Sequence, residues 1–302
     1  MKPGTLLAMT RPGFLAITAV ACLLGMAFAA SCGCGFSAPL ALSTLVLALT
    51  AHAGANVLND YHDALNGADA ANQSGLFPFT GGSRLIQQGV TTAVQTRQVA
   101  MALLLLVIPG GVLLAAHSGG GLLLIGMAGL LLGWAYSAPP LALMSRGAGE
   151  LAVAGAWWLV VIGADYVQRR SFFVIPAATA VSFALLVANI LLVNGFPDAA
   201  ADAQVGKRTA VVIVGPRVAA ALYAGVVLLA YAWLAAALWL LIAPTRAAAG
   251  FLSLPLSLAA AASLWRHAAQ PHKLRAAIVL TITAAAVHGL AMAVGVVSVR
   301  FA

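Results

Sequence analysis

Residues 38–69 read APLALSTLVLALTAHAGANVLNDYHDALNGAD, an apolar stretch followed at once by three aspartates. From residue 38 to residue 58 this stretch contains no charged side chain. A helix of roughly 20 apolar residues is long enough to cross the hydrocarbon core of a bilayer. The stretch therefore predicts a membrane-spanning helix that leads directly into an acidic segment.

The composition of the whole chain predicts the same environment. Of the 302 residues, 63% are hydrophobic and 7% are charged, whereas soluble domains carry about 25% charged residues. So few charges cannot cover a water-facing surface, and we expect an all-α integral membrane protein without a separate soluble domain. The net charge of +8 is spread singly or in pairs between apolar segments, which favours topology signals over a nucleic-acid partner.

Apolar segments of suitable length recur along the chain and predict nine transmembrane helices in a single domain that covers residues 1–302. Leu, Ala and Val fill these segments together with many glycines, and small residues let membrane helices pack closely. The predicted spans lie near residues 12–30, 38–58, 97–116, 120–137, 148–165, 171–193, 216–241, 249–265 and 276–298.

The basic residues are distributed as the positive-inside rule requires. If the N-terminus is cytoplasmic, eleven of the fifteen Lys and Arg residues fall on the cytoplasmic side of the predicted spans. The four that would face outside are Arg169, Arg170, Arg246 and Arg300. We therefore expect a multi-pass protein of the cell's inner (plasma) membrane with a cytoplasmic N-terminus and an external C-terminus.

Two connections between predicted spans, residues 59–96 and 194–215, are unusually long. Four spans separate them, and because this number is even, both connections should lie at one membrane face, which the basic residues predict to be cytoplasmic. The arrangement also suggests an internal four-helix repeat, with one motif near 56–69 and the other near 194–202. These loops hold five of the seven acidic residues: Asp60, Asp63, Asp69, Asp198 and Asp202.

The polar residues of each acidic motif are spaced so that they share one face of a helix end. Neighbouring carboxylates repel each other unless a cation neutralises them, and hard oxygen ligands select Mg²⁺. Mg²⁺ usually completes its coordination with water and phosphate oxygens, so a diphosphate is the natural ligand for two such faces. The residues are Asn56, Asn59, Asp60 and Asp63 in the first motif and Asn194, Asp198 and Asp202 in the second.

Fixed cations lie close to both motifs in the sequence. Arg84 ends the run Gly81-Gly82-Ser83-Arg84, and Lys207 and Arg208 follow the second motif. All three are candidates to contact the same anion. The alternative is that these segments are simply solvated loops, but two matched acidic faces in a chain with so few other acids favour a functional site.

Histidine and cysteine residues leave alternatives open. His52 lies one turn before Asn56 and could reach the site, although a packed histidine is the other interpretation. The spacing of Cys22, Cys32 and Cys34 does not predict a zinc site. We expect unpaired thiols, with a disulfide between Cys32 and Cys34 as the alternative.

The two acidic motifs, Asn59-Asp60-x-x-Asp63 and Asp198-x-x-x-Asp202, resemble the paired aspartate motifs of the UbiA-type intramembrane prenyltransferases. Two further segments resemble the same family in the right order: the run from Trp134 to Glu150, and Gly206-Lys207-Arg208-Thr209. The resemblance therefore extends over most of the chain and implies a UbiA-like helical bundle.

The end of the first motif is most similar to one branch of this family. The commonest family pattern has a third acid where Gly67 stands here, and in this chain the acid appears at Asp69 instead. That variant, together with the Gly-Gly-Ser-Arg run at 81–84, is similar to the 1,4-dihydroxy-2-naphthoate prenyltransferases of menaquinone synthesis.

The resemblance implies an enzyme that transfers a polyprenyl group from a polyprenyl diphosphate to an aromatic acceptor within the lipid bilayer. It implies Mg²⁺ bound by Asp60, Asp63, Asp198 and Asp202, with Asp69 as a possible further ligand, and these four aspartates as the catalytic residues. The substrate-binding residues that it implies are Asn56, Asn59, Arg84, Tyr136, Asn194, Lys207 and Arg208.

Other functions remain as alternatives at this level. Within the enzyme class, the acceptor could be 4-hydroxybenzoate, a haem or chlorophyll precursor or a lipid, and a cyclase acting on the diphosphate alone is a further candidate. From a different class, a membrane transporter could use acidic residues for ion coupling. Against a transporter, the acids are predicted at one membrane face and not at mid-depth.

Overall fold

The computed structural model describes residues 1–73 and 75–298, and over these ranges the chain is a bundle of α-helices without a β-strand. Short 3₁₀ segments at Leu143–Ser145, Thr245–Ser253 and Pro271–Lys273 join some of the helices. The helices are α1 (Pro3–Met9), α2 (Pro12–Ser31), α3 (Ala38–Asn66), α4 (Ala68–Ala71), α5 (Ala93–Ser118), α6 (Gly121–Ser137), α7 (Gly149–Arg169), α8 (Val174–Gln204), α9 (Ala210–Val214), α10 (Pro216–Trp239), α11 (Leu254–His267) and α12 (Arg275–Val297).

Eight helical segments in the described ranges are long and apolar enough to cross a membrane. The apolar helix α6 has 17 residues, which is at the lower limit of what spans the hydrocarbon. Each of the nine predicted spans therefore coincides with an apolar helix, and the prediction of an all-α membrane protein is confirmed. The count of nine depends on the short helix α6. Arg300, which entered the prediction of sidedness, lies outside the described residues.

Helices α3 and α8 are longer than the predicted spans, and this positions the acidic residues. They have 29 and 31 residues, which at 1.5 Å per residue corresponds to about 44 and 46 Å, against about 30 Å of hydrocarbon. The motif aspartates consequently lie on the last turns of these helices. The sequence predicted faces on helix ends but ended the spans at residues 58 and 193, so that the acids fell in the connections that follow. The acidic side chains on these turns are buried, Asp60, Asp63 and Asp202 among them, and the backbone of each turn remains hydrogen-bonded within its helix.

Helix α8 lies at the centre of the bundle and packs against α2, α7, α10 and α12. Its buried side chains include Phe183, Val187 and Val193. Small residues allow close helix contacts around it: a Cβ at Gly25 of α2 would overlap the carbonyl of Val161 in α7. This dense centre fixes the end of α8, on which Asp198 and Asp202 stand.

A buried polar network joins the C-terminal helices to α8. Ser182 Oγ lies 3.0 Å from His288 Nε2, and Ser253 Oγ lies 3.1 Å from His288 Nδ1. The Tyr231 hydroxyl is 2.7 Å from Ser253 Oγ and 2.9 Å from Ser257 Oγ. These groups satisfy one another away from the acidic helix ends, so the network holds the bundle together and does not line the site.

The opposite end of the bundle carries different polar features. Asp165, near the end of α7, forms an ion pair of 2.6 Å with Arg169 one turn later. Cys32 and Cys34, which follow α2, form a disulfide, whereas Cys22 is free and buried. The expectation of unpaired thiols at Cys32 and Cys34 is therefore corrected. Their separation of two residues brings them together in a tight turn.

Candidate active site

The end of α3 presents the first acidic face. Asp60 and Asp63 are both buried, with 3% and 8% of their surfaces exposed. The Asn59 amide donates a hydrogen bond of 3.0 Å to Asp63 Oδ2, and the Asn66 amide donates one of 3.2 Å to Asp63 Oδ1. The i, i+4 spacing of Asn59 and Asp63 thus produces the shared face that the sequence predicted.

The end of α8 presents the second acidic face, and its partners come from a distant part of the chain. The Asn72 amide donates a hydrogen bond of 2.6 Å to Asp198 Oδ1, and the backbone N–H of Gly81 donates one of 3.2 Å to Asp198 Oδ2. Asn72 is 3% exposed, and sequence reasoning did not identify it. Asp202, one turn after Asp198, is buried as well.

Lys207 joins the two acidic faces. Its Nζ lies 2.9 Å from Asp63 Oδ1 and 3.5 Å from Asp202 Oδ1. Burial by itself would lower the pKa of this ammonium group, but the carboxylates of Asp63 and Asp202 outweigh it and raise the pKa above its usual range. Lys207 is therefore charged at any physiological pH and holds α3 and α8 in register.

The glycine-rich run at 81–84 covers the first acidic face. The backbone N–H of Ser83 donates a hydrogen bond of 3.1 Å to Asp60 Oδ2. Gly82 has a φ of 70°, and a Cβ there would lie 2.8 Å from Asp69 Oδ2 and 3.0 Å from Asp60 Oδ1. A glycine is needed at this position both for the left-handed backbone and because the two carboxylates approach so closely.

Asp69 lies on the short helix α4 and lines the same cavity as Asp63 and Asp202. Burial, together with the nearby charges of Asp63 and Asp60, raises the pKa of its carboxyl to about 8. At the level of the sequence, Asp69 was a marker of one branch of the family and a possible further metal ligand. The structure places it among the site carboxylates.

Two of the predicted substrate-binding cations point elsewhere. Arg84 donates hydrogen bonds to the backbone carbonyls of Asp69 and Asn72, the latter at 3.0 Å, and it lines neither of the cavities described below. Arg208 is exposed, and its backbone N–H donates a hydrogen bond of 3.1 Å to the Ser145 carbonyl. In this structure both residues brace loops around the site and do not contact the acids.

Arg11 is a site residue that sequence reasoning missed, because it was interpreted only as a topology signal. Its guanidinium lies 3.9 Å from Asp60 Oδ1, and its Nε is buried without a hydrogen-bond partner in the described ranges. The residue immediately precedes α2 and has a φ of 55°. Nothing in its sequence context distinguishes it from the other basic residues at span ends.

Two adjoining cavities meet at the acidic helix ends. The polar cavity has a volume of about 110 Å³ and is lined by acidic residues that include Asp63, Asp69, Asp198 and Asp202. The second, mostly apolar cavity has a volume of about 240 Å³ and extends between α2, α3, α6, α7 and α8. The residues that line both cavities are Arg11, Asn59, Tyr136, Leu191 and Asn194.

The cavities also show where the remaining predicted residues lie. Tyr136, Asn59 and Asn194 stand at the junction of the two cavities, and Asn56 lines the apolar one. Asn56 donates a hydrogen bond of 3.0 Å to the Thr10 carbonyl, which attaches the segment before α2 to α3. Apart from Arg84 and Arg208, the predicted substrate-binding residues therefore converge on one site.

The donor atoms at this site fit Mg²⁺ that is shared with a ligand. In the part of the chain that the structure describes, no three acidic, histidine or cysteine side chains form a ready-made metal site. However, Asp60 Oδ1 and Asn194 Oδ1 are buried oxygens without a hydrogen-bond partner there. Such unpaired oxygens are costly unless a ligand or ion engages them, and Mg²⁺ uses few protein ligands when phosphate oxygens complete its coordination.

Comparison with known sequences shows a family relationship. Residues 15–286 match the model of the UbiA prenyltransferase family. The chain is 26% identical over 231 residues to a 1,4-dihydroxy-2-naphthoate octaprenyltransferase of Bacillus subtilis (strain 168), which covers 70% of this chain and 71% of that protein. It is 29% identical over 221 residues to the protein of the same name from Mycobacterium leprae (strain TN), covering 73% and 72%.

Solved structures with the same fold are also similar to this chain. A UbiA homolog from Archaeoglobus fulgidus bound to DMAPP and Mg²⁺ superposes with a TM-score of 0.67 at 17% identity, covering 97% of this chain and 99% of that one. The same homolog bound to GPP and Mg²⁺ gives a TM-score of 0.60 at 16% identity, covering 97% and 99%.

Proposed function

The chain belongs to the UbiA prenyltransferase family, and from this premise we propose that it transfers a polyprenyl group from a polyprenyl diphosphate to 1,4-dihydroxy-2-naphthoate with the help of Mg²⁺. The protein is a multi-pass membrane prenyltransferase. Family membership also removes the reason to consider a transporter. The metal, the acceptor and the roles of individual residues are our proposals.

The observation that carries the proposal is the junction between the acid-lined cavity and the apolar cavity. A prenyl diphosphate has a highly charged head and a hydrocarbon tail, so it needs a polar site and an apolar site that adjoin. The two cavities share wall residues, Arg11 and Asn59 among them. The head and the tail of one ligand therefore find a polar and an apolar cavity next to each other at these shared residues.

The charged residues of the chain suit the departure of a diphosphate. Lys207 and Arg11 are fixed cations beside the acids, and each can stabilise negative charge that develops as the allylic carbon–oxygen bond breaks. Mg²⁺, when bound, would neutralise the carboxylates and the diphosphate and so promote departure of the leaving group. Asp60, Asp63, Asp198 and Asp202 would hold it, with Asp69 as a further oxygen ligand.

The apolar cavity suits the other half of the reaction. Its walls are formed largely by aliphatic and aromatic side chains, with Phe14, Trp157 and Ile190 among them. These walls exclude water from the electrophilic allylic carbon, so the ring of the acceptor attacks it in preference to hydrolysis. Tyr136 and Asn194, which line both cavities, would contact both substrates.

The naphthoate acceptor is supported by the relatives. Two curated relatives bear the name 1,4-dihydroxy-2-naphthoate octaprenyltransferase, and the Gly67 and Asp69 variant of the first motif points to the same branch. With this acceptor the ring carboxylate leaves as carbon dioxide when the new carbon–carbon bond forms, and the product belongs to menaquinone synthesis.

The proposal is tested with the full-length protein in lipid nanodiscs, labelled geranylgeranyl diphosphate and 1,4-dihydroxy-2-naphthoate kept reduced under anaerobic conditions. We expect prenylated product with Mg²⁺, its loss with EDTA, and recovery when excess Mg²⁺ is restored. Product formation at an undiminished rate in EDTA would refute the proposed requirement for Mg²⁺. Turnover of 4-hydroxybenzoate but not of 1,4-dihydroxy-2-naphthoate would refute the proposed acceptor.

We further propose that the N-terminus and the active site face the cytoplasm of a cell whose plasma membrane holds the protein. The support is the excess of basic residues at that end of the helices. In a variant without native cysteines, Arg170→Cys should react with a membrane-impermeant thiol reagent in intact cells. Lys273→Cys should react only after permeabilisation, and the reverse pattern would invert the topology.

A further inference from the structure

His52 places a polar ring in the wall of the apolar cavity. It stands on α3 two turns before Asp60, and its neighbours along this cavity wall include Ala48, Ala51 and Ala55. A polar side chain within a membrane-spanning helix is costly and tends to be retained for function. The acidic site does not use His52, so its presence in this wall requires its own explanation.

Two contacts fix the orientation of the imidazole ring. Thr18 Oγ1 of α2 lies 2.8 Å from His52 Nδ1. The indole ring of Trp157 in α7 meets the imidazole edge to face, with ring centroids 4.8 Å apart and an interplanar angle of 83°. Asn56, one turn later on α3, lies close enough to interact with the imidazole as well, but among the described residues no hydrogen bond within 3.5 Å is formed by His52 Nε2. Because Nδ1 is engaged and the residue lines the cavity, Nε2 is the nitrogen that can bind a ligand.

The depth of His52 fits the acceptor ring. Eight residues of helix separate it from Asp60, which corresponds to a rise of about 12 Å. A diphosphate held at the acids would fill the part of this distance nearest Asp60, and its allylic carbon would lie just inside the apolar cavity. An aromatic ring stacked against that carbon would then carry its substituents to the level of His52.

The chemistry of Nε2 selects the kind of substituent. If the Thr18 hydroxyl donates to Nδ1, Nε2 carries the proton and donates; with the other tautomer, Nε2 accepts. A ring hydroxyl can pair with either form because it both donates and accepts. A prenyl tail offers neither group and would leave Nε2 without a partner in an apolar wall, which costs free energy.

We propose that His52 is an acceptor-binding residue whose Nε2 forms a hydrogen bond with a ring hydroxyl of the aromatic acceptor and so orients the ring toward the allylic carbon. Thr18 is the positioning residue that holds the imidazole for this contact. The inference rests on the proposed function and deepens it, because it names the group of the acceptor that the enzyme recognises.

Two substitutions at this position separate the ring nitrogens. In His52→Gln the side-chain amide nitrogen occupies nearly the position of Nε2, so the contact with the hydroxyl is retained. In His52→Asn the amide reaches only the position of Nδ1, so the contact with Thr18 is retained and the ligand contact is lost. The two variants are otherwise matched in polarity, which makes each the control for the other.

The experiment measures equilibrium binding of 1,4-dihydroxy-2-naphthoate and of 2-naphthoate to the full-length protein in nanodiscs, together with KM for both substrates in the transfer assay. We expect His52→Asn to weaken binding of the dihydroxy compound about tenfold and to raise its KM similarly, the effect of one lost hydrogen bond to a ligand. Binding of 2-naphthoate and KM for geranylgeranyl diphosphate should stay within about twofold, and His52→Gln should behave as wild type.

Other outcomes would overturn the inference. If His52→Asn and His52→Gln weaken the binding of both naphthoates equally, His52 has only a packing role. If they raise KM for the diphosphate substrate alone, the cavity wall at His52 contacts the prenyl tail. Absence of transfer by the wild-type protein would refute the proposed function. The binding comparison would still decide whether His52 recognises the hydroxyl, so the two failures are distinguishable.

Discussion

The ammonium group of Lys207 lies 2.9 Å from the carboxylate of Asp63, a residue 144 positions earlier in the chain. The same group lies 3.5 Å from Asp202. One lysine therefore connects the ends of α3 and α8, and with them the two acidic faces. The positive charge of Lys207 reduces the repulsion between Asp63 and Asp202, which is why carboxylates from distant segments can lie together at one buried site.

We predict that Lys207→Met lowers kcat of prenyl transfer by about 100-fold or more, which is typical for loss of a group that stabilises developing charge. The variant leaves Asp63 and Asp202 facing each other without their cation. Lys207→Arg should retain part of the activity because it keeps the charge but not the geometry. Steady-state kinetics in nanodiscs measure the effect, and Lys273→Met, at an exposed position, is the matched control. Equal activity of Lys207→Met and the control would contradict the role of Lys207.

The aspartates of the two acidic motifs should themselves be required for prenyl transfer. Asp63→Asn and Asp198→Asn should each reduce transfer at least about 100-fold while the protein still inserts into membranes, because charge is removed where the metal and the diphosphate are bound. The control is Asp165→Asn, which removes an acid at the opposite end of the bundle. We expect this variant to be somewhat less stable, since it disrupts the pair with Arg169, and to keep its kcat. Retained turnover in Asp198→Asn would remove the basis for the metal site.

Gly82 provides a test of how closely the 81–84 run approaches the acids. Both Gly82 and Gly89 have a φ of 70°, but only at Gly82 would a Cβ meet the carboxylates of Asp69 and Asp60. Gly82→Ala and Gly89→Ala should therefore bear similar backbone strain, about 1 kcal/mol. Only Gly82→Ala should also lose most of its transfer activity and raise the Mg²⁺ concentration needed for half-maximal rate. If both variants lose activity to the same degree, strain alone accounts for the effect.

The buried polar network around His288, which joins the C-terminal helices to α8, should affect stability without affecting catalysis. His288→Leu leaves Ser182 and Ser253 without their shared partner in a fully buried position, so we expect the free energy of unfolding to fall by about 1–3 kcal/mol. Ser182→Ala removes the contact with His288 and a bond to the carbonyl of Thr179 within the same helix, and should cost about 0.6 kcal/mol, as is usual for a hydrogen bond inside membrane proteins. Unfolding in mixed micelles measures both changes. A large change in KM for either substrate in His288→Leu would show that the network reaches the site.

The sequence by itself determined the helical membrane fold and the two acidic faces. Both follow from local patterns: a run of apolar residues defines a span, and the spacing of Asn59 and Asp63, or of Asp198 and Asp202, defines a helix face. An even number of spans between the motifs predicted that they lie at the same membrane face. Motif resemblance then pointed to the prenyltransferase family, which the family match confirmed.

Only the tertiary structure decided which side chains meet. Lys207 contacts the acids, Arg84 turns to backbone carbonyls instead, and Arg11 enters the site from the segment before α2. Asn72 and Asp198 are paired across 126 positions. These pairings depend on helix packing and on the path of residues 75–92 before α5, and residues far apart in the chain carry no periodic signal of their contact. Local sequence therefore fixed each face, and long-range packing selected its partners.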